Sequence, residues 1–389
     1  MSSSYSGTWQ LVNLNDLGEV NRGRSRHRPR YAEHLYGGAY PFIQTGDVKA
    51  SDGRITKFTQ TYSDAGLAQS RLWPAGTMCI TIAANIAETG ILQSPACFPD
   101  SIVGFVADPT KADVRFIEYS FRYLKSSIQN QANGSVQDNI NLETLARLRF
   151  PVPSLLEQHA IADVLGALDD KIAANDRVVD LSDKLAEAVL SKSLDGRSSP
   201  LASQALVTMG SSPPGTSYNE KEDGLPFYQG VRDFGIRFPR RRVWTTAPVR
   251  TARTGDTLVS VRAPVGKTNI ANEDMCIGRG VASLRSRSQR PMTLFHQVRA
   301  AHEAWAPYEA EGTVFGAINR SQLEAVLLPM VRSEASGKVE HALTAIENRI
   351  AAALSENETL VTTRDQLLPL LMSGKVRVLE SERILEGVV

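Results

Sequence analysis

The chain has 389 residues, 42% hydrophobic and 22% charged, with 43 basic against 42 acidic side chains and a net charge of +1. That is the composition of a soluble, core-forming chain of two or three domains, and it excludes a disordered chain, a collagen-like rod and a uniformly basic nucleic-acid coat. No apolar run reaches the roughly eighteen residues of a membrane span. Residues 1–7 lack the apolar stretch of a secretion signal. The three cysteines (79, 97 and 276) are scattered, which fits a reducing cytoplasm and no disulfide scaffold.

In chain order, residues 21–30 read NRGRSRHRPR, five arginines without an acid. Pro41-Phe42-Ile43-Gln44 is strand-like and runs into Thr45, Asp47 and Lys49, with Arg54 and Lys57 nearby. Residues 77–82 are short and β-rich between Gly and Pro breakers. After Pro151 and Pro153 the period changes. Ile161, Leu165, Leu168, Ile172, Asn175, Val179, Ser182, Ala186 and Val189 step by four and three, which predicts a coiled-coil seam. This stretch is acidic, with nine acids against four bases over 157–195.

The same series then recurs. Pro226-Phe227-Tyr228-Gln229 leads into a segment, 232–253, with seven arginines and one acid, Asp233. Residues 256–261 are β-rich, and Pro329 precedes a second seam: Val339, Leu343, Ile346, Ile350, Ala353, Asn357, Leu360, Arg364 and Leu367. Asn133-Gly134-Ser135-Val136, Ile140-Asn141 and Leu145 match Glu311-Gly312-Thr313-Val314, Ile318-Asn319 and Leu323 at an offset of 178. That offset also pairs Pro151 with Pro329, Leu165 with Leu343, Ile172 with Ile350 and Gly196 with Gly374. Gly76 with Gly255 and Cys97 with Cys276 match at 179. The order globule–helix–globule–helix predicts an α+β chain. Its two tandem-repeated, β-rich globules span 1–155 and 197–332, its helices 156–196 and 333–376, and its charged tail 377–389. Antiparallel pairing would let the helices bury each other's seams, with Asn175 and Asn357 setting register. It would also relate the globules by a pseudo-two-fold axis. The 31 residues of 160–190 would extend about 45 Å at ~1.5 Å each, roughly 13 base pairs of duplex.

Enzymatic motifs are lacking. Gly266-Lys267-Thr268 resembles the end of a phosphate loop, but Val261 stands where a glycine is required. Asp169-Asp170-Lys171 resembles a nuclease D-x-K but reads as a solvated helix face. No Asn/Asp-Pro-Pro-aromatic run is present, Pro213-Pro214 reads as a turn, and the six histidines have no metal-ligand spacing. No metal and no catalytic residue is expected.

Residues 41–47 (PFIQTGD), 226–230 (PFYQG), 255–267 (GDTLVSVRAPVGK) and 276–284 (CIGRGVASL), with a long helix after each copy, resemble the specificity subunit of type I restriction–modification enzymes. The resemblance runs from about Trp9 to Lys375. In the first copy Ala83-Ala84-Asn85-Ile86 stands in place of Arg262-Ala263-Pro264-Val265, and Asp100 in place of Arg279. The resemblance implies two target recognition domains, each reading half of a bipartite, asymmetric site in double-stranded DNA. It implies helices that space them and help dock two adenine methyltransferase (modification) subunits, with motor–nuclease (restriction) subunits joining. The chain itself would be non-catalytic and cytoplasmic, and the holoenzyme would use S-adenosylmethionine, ATP and Mg. Because Gln pairs bidentately with adenine and Arg with guanine, Gln44, Thr45, Asp47, Lys49, Arg54, Gln229 and Arg232 are candidate base readers. Arg22, Arg24, Arg26, Arg240, Arg241 and Arg242 are candidate phosphate contacts. Arg262, Lys267 and Arg279 lie in the signature block and either bind DNA or brace the domain. The alternative is a coiled-coil scaffold whose globules bind protein.

Overall fold

The computed structural model describes residues 9–26, 29, 32–83, 85–133, 142–308 and 316–378. The repeat residues 134–136, 140–141 and 311–314, with Arg28, Arg30, Ala84 and the tail from 379, lie outside them. The chain forms two compact units, Met1–Ile172 with Glu358–Val389, and Ala173–Asn357. The divisions fall midway along both long helices, not where the globules end. Each unit therefore holds one globule and half of each helix.

In the first unit, a five-stranded sheet has the order Gly18–Arg22, Ile102–Ala107, Met78–Thr81, Thr89–Leu92, Gly53–Ile55. Its central strands are buried throughout, which is why they read as continuous apolar and β-branched runs. Helix Val114–Asn133 contributes Phe116, Ile117 and Phe121 to the same core as Met78, Ile80 and Phe105. Strand Gln10–Asn13 pairs antiparallel with Arg149–Val152 at the foot of the globule. Past Pro153 the chain enters the first long helix, Leu155–Ser193.

The second unit holds a four-stranded sheet (Ala205–Met209, Val281–Ser286, Thr257–Ser260, Thr268–Ile270). Beside it is a five-stranded one (Tyr218–Asn219, Trp244–Thr245, Leu225–Tyr228, Met275–Ile277, Thr251–Ala252). Its foot is again an antiparallel pair, Leu194–Pro200 with Leu327–Val331, before the second long helix, Ser336–Met372. The repeat is closest at one turn. Gly76 and Gly255 both take left-handed backbone (φ 83° and 86°) just before the buried central strand, where a side chain would be strained. Their N–H groups donate to Leu92 O at 2.8 Å and Ala271 O at 2.7 Å.

The helix ends differ by a few residues from the sequence expectation. Residues 194–196 leave the helix because Leu194 starts a strand paired with Val331, and residues 373–376 form turns around Gly374 (φ 68°). Within each unit the helix halves run antiparallel. In the second, Val179 packs on Ile350 and Ala353, and Ala186 on Val339 and Leu343. Asn175 Nδ2 donates to Asn357 Oδ1 at 2.9 Å, and Asn357 Nδ2 donates to Asp176 Oδ1 at 2.8 Å. Ile346 is half-buried there. In the first unit Leu165 shares a core with Leu371 and Met372, while Leu168, Ile172 and Leu360 are half-buried. Among the described residues, no helix is long and apolar enough to cross a membrane.

Candidate nucleic-acid interface

In the second unit the signature blocks converge. Strand Leu225–Tyr228 runs parallel to Met275–Ile277, so Gln229 emerges beside the Ile277-Gly278-Arg279-Gly280 turn. Gly280 N–H donates to Gln229 O at 3.1 Å, and a Cβ on Gly280 would lie 2.4 Å from that oxygen. Glycine is therefore required for the close approach, and it sets Arg279 on the rim. Arg262 follows the neighbouring strand. Gln229, Arg232, Arg242, Arg262 and Arg279 line one cleft of about 290 Å³ with Asp233. The guanidinium groups of Arg232, Arg262 and Arg279 are exposed and have no ion-pair partner among the described residues.

Asp233 organises this cleft from below. It is 3% exposed. Its Oδ2 accepts Gln229 N–H at 2.7 Å, and its Oδ1 accepts Arg242 Nε and Nη2 at 3.0 and 2.8 Å. Arg241 is turned away onto Glu273, at 2.8 and 2.6 Å, and those hydrogen bonds raise its pKa further above the usual guanidinium value. The three consecutive arginines, grouped in sequence as phosphate contacts, thus divide: of the three, only Arg240 lacks an ion pair among the described residues. Lys267 is exposed but is not part of the cleft lining.

The first unit keeps the turn and changes its chemistry. Gln44 N–H donates to Asp47 Oδ2 at 2.8 Å, as Gln229 does to Asp233, and Thr45 opens the short helix Thr45–Lys49. Gln44 Nε2 donates to Gln60 Oε1 at 2.6 Å, a partner that sequence reading missed. Lys49 donates to Asn85 Oδ1 at 3.2 Å. Arg54 is not a free base reader: its guanidinium pairs with Asp170 and reaches Gly166 O at 3.3 Å, fastening the globule to the first long helix. Arg22, Arg24 and Arg26 are exposed along one edge strand and its extension, with no ion pair among the described residues.

Two buried charge networks also escaped the sequence reading. Asp169 is 7% exposed, not part of a solvated face. It accepts Arg364 Nη1 at 2.9 Å and Tyr119 Oη at 2.5 Å. Beside it, Glu118 is buried against Arg122 (2.7 Å) and Thr89 (2.9 Å), and burial pushes its carboxyl above the usual range. In the second unit Arg237, 3% exposed, bridges Asp183 and Glu347, and Arg299 and His296 complete the set. The i,i+4 spacing of Glu118 and Arg122 was the one local signal of the first network. The second joins residues over a hundred positions apart.

Burial pushes the thiols of Cys79, Cys97 and Cys276 upward. Among the described residues, no group of three or more His, Cys, Asp or Glu side chains is placed to hold a metal ion. The arrangement can donate hydrogen bonds and attract anions.

The family profile described as "Type I restriction modification DNA specificity domain" matches residues 6–178. A curated relative from Methanocaldococcus jannaschii, described as "Putative type I restriction enzyme MjaX specificity subunit", is 29% identical over 281 residues. The match covers 66% of this chain and 65% of the relative, so the chain spans about two thirds of that protein's length. Among solved structures, the S subunit of a type I restriction-modification system from M. genitalium superposes with a TM-score of 0.66 at 15% identity, covering 95% of this chain and 98% of that one; this likeness concerns the fold. The HsdS subunit from Thermoanaerobacter tengcongensis aligns at 21% identity over 97% of this chain and 100% of that one, with a TM-score of 0.39.

Proposed function

We propose that this chain is a specificity subunit of the type I restriction–modification kind, the DNA-reading subunit of such an enzyme. Each globule reads one half of a bipartite, asymmetric sequence. The helices set the spacing and dock two adenine methyltransferase subunits, and motor–nuclease subunits complete the restriction assembly. The chain contributes recognition and no catalysis. S-adenosylmethionine, ATP and Mg serve the partner subunits.

One observation carries the reading. Five residues drawn from four separate stretches of the second repeat, Gln229, Arg232, Arg242, Arg262 and Arg279, line a single cleft. Four of the five are arginine, the side chain that suits both phosphate and guanine. A protein-binding patch would set aromatic residues or Met among its arginines, and the lining of this cleft holds none.

The test has two stages. The full chain should retard random duplex DNA at low salt, with affinity falling steeply as salt rises. Co-expression with an adenine methyltransferase subunit should then mark adenines in a split motif across a genome. Failure to bind duplex at low salt, alone and with that subunit, would reject the DNA reading and favour the scaffold.

A further inference from the structure

We propose that the cleft of the second domain reads guanine, with Arg242 as the base-contacting residue and Asp233 as the residue that positions it. The inference rests on the DNA reading above and names which base that site selects.

The argument starts from how Arg242 is held. Asp233 Oδ1 takes both Nε and Nη2, at 3.0 and 2.8 Å, and the carboxylate is itself buried and tied to Gln229 N–H. One edge of the guanidinium is therefore fixed. The other edge, Nη1 and the second N–H of Nη2, lies on a side chain that is 45% exposed and lines the cleft. Two fixed, roughly parallel N–H donors match the O6 and N7 acceptors on the major-groove edge of guanine. On adenine one of them would meet the N6 amino donors. The fork has surrendered its rotamer freedom in the folded protein, so less ordering is lost on binding.

Phosphate is the competing ligand for any arginine. Here the pair Asp233–Arg242 is electrically neutral, so it adds little to the pull on a phosphate. What it offers is direction, and direction selects a base edge. Arg232, Arg262 and Arg279 around the same cleft keep their charge uncompensated among the described residues and suit the flanking phosphates. The first domain sharpens the contrast. Asp47 holds Gln44 N–H at 2.8 Å, but no arginine among the described residues is bonded to it, and the nearby donor–acceptor pair is the amides of Gln44 and Gln60. The two domains thus differ at the buttress itself.

The experiment is selection from a randomised duplex pool by the full chain, wild type and variants, followed by sequencing of the bound fraction. The wild type should enrich a split motif with guanine at one or more positions of one half. Arg242→Lys keeps the charge but loses the fork; it should reduce the preference for one such guanine about tenfold or more while leaving the other half intact. Asp233→Asn should relax the same position, because Arg242 is no longer held. Asp233→Glu should restore part of the preference, which a merely structural role would not do. Enrichment of a motif whose guanines are untouched by Arg242→Lys overturns the inference and leaves the DNA reading standing. A wild-type chain that enriches no motif, alone and with the methyltransferase subunit, overturns both.

Discussion

Arg364 Nη1 donates to Asp169 Oδ1 at 2.9 Å, joining the second long helix to the first inside the first unit, with Asp169 7% and Arg364 8% exposed. The acid equivalent to Asp169 in the second repeat is Glu347, 178 residues later, yet Ala186 stands where the symmetry would put the arginine. There the globule supplies the cation: Arg237 Nε lies 2.9 Å from Glu347 Oε2. The equivalent buried acid thus takes its nearest arginine from the helix in one unit, with Arg122 of the globule at 3.9 Å, and from the globule in the other.

Removing Arg364 leaves Asp169 buried without its main counter-charge. Arg364→Ala should destabilise the chain by about 3 kcal/mol, because Asp169 stays buried with only Arg122, at 3.9 Å, as a remaining cation. Urea unfolding of the full chain would show this as a lowered midpoint, and an unchanged midpoint would deny the pair its structural role.

The seam asparagines predict the opposite sign. Asn175 Nδ2 donates to Asn357 Oδ1 at 2.9 Å, at seam positions that Ile172, Val179, Ala353 and Leu360 flank along the two helices. Replacing both with leucine exchanges a polar pair for apolar burial, so the melting midpoint should rise by a few degrees, on the order of 1 kcal/mol. Calorimetry of the double variant decides it.

Acid should act through Asp183. Burial alone would raise its carboxyl, but hydrogen bonds from Arg299 and Arg237 outweigh burial and hold it below the ordinary 3.8. Its folded pKa is depressed, so its contribution is full above that ordinary value and is lost as pH falls through the lower folded one. Glu118 runs the other way: burial raises it, so protonation on acidification relieves a penalty. Urea midpoints measured from pH 6 to pH 3 should fall less steeply in Asp183→Asn than in the wild type.

Two neighbouring arginines should behave differently in DNA binding. Arg240→Glu should weaken binding to every sequence and reduce the salt slope by roughly 0.9 for each phosphate left without its counter-charge. Arg241→Ala should do much less, because Arg241 is already committed to Glu273 at 2.8 and 2.6 Å. Equal effects in a salt titration would show that the ion pair opens on the DNA.

Exchanging residues 200–330 for those of another such subunit should alter one half of the methylated motif. A swap that changed both halves, or neither, would contradict one domain per half-site.

Much of this protein was written in linear patterns. The stepping of Leu165, Ile172 and Val179, and of Leu343 and Ile350, displays helices because a seam must repeat about every 3.5 residues to stay on one face. Gly76 and Gly255 betray the duplicated turn because only glycine tolerates that backbone freely. The arginine clusters pointed to anion binding, but not to which arginines are left unpaired for it. That was decided by folding. Arg54, Arg237 and Arg241 are indistinguishable in sequence from Arg232 and Arg240, and they are consumed by Asp170, Asp183 with Glu347, and Glu273. Local periodicity records which face of a segment is dry. The pairing of charges far apart in the chain depends on distances that exist only once the sheets and helices have packed.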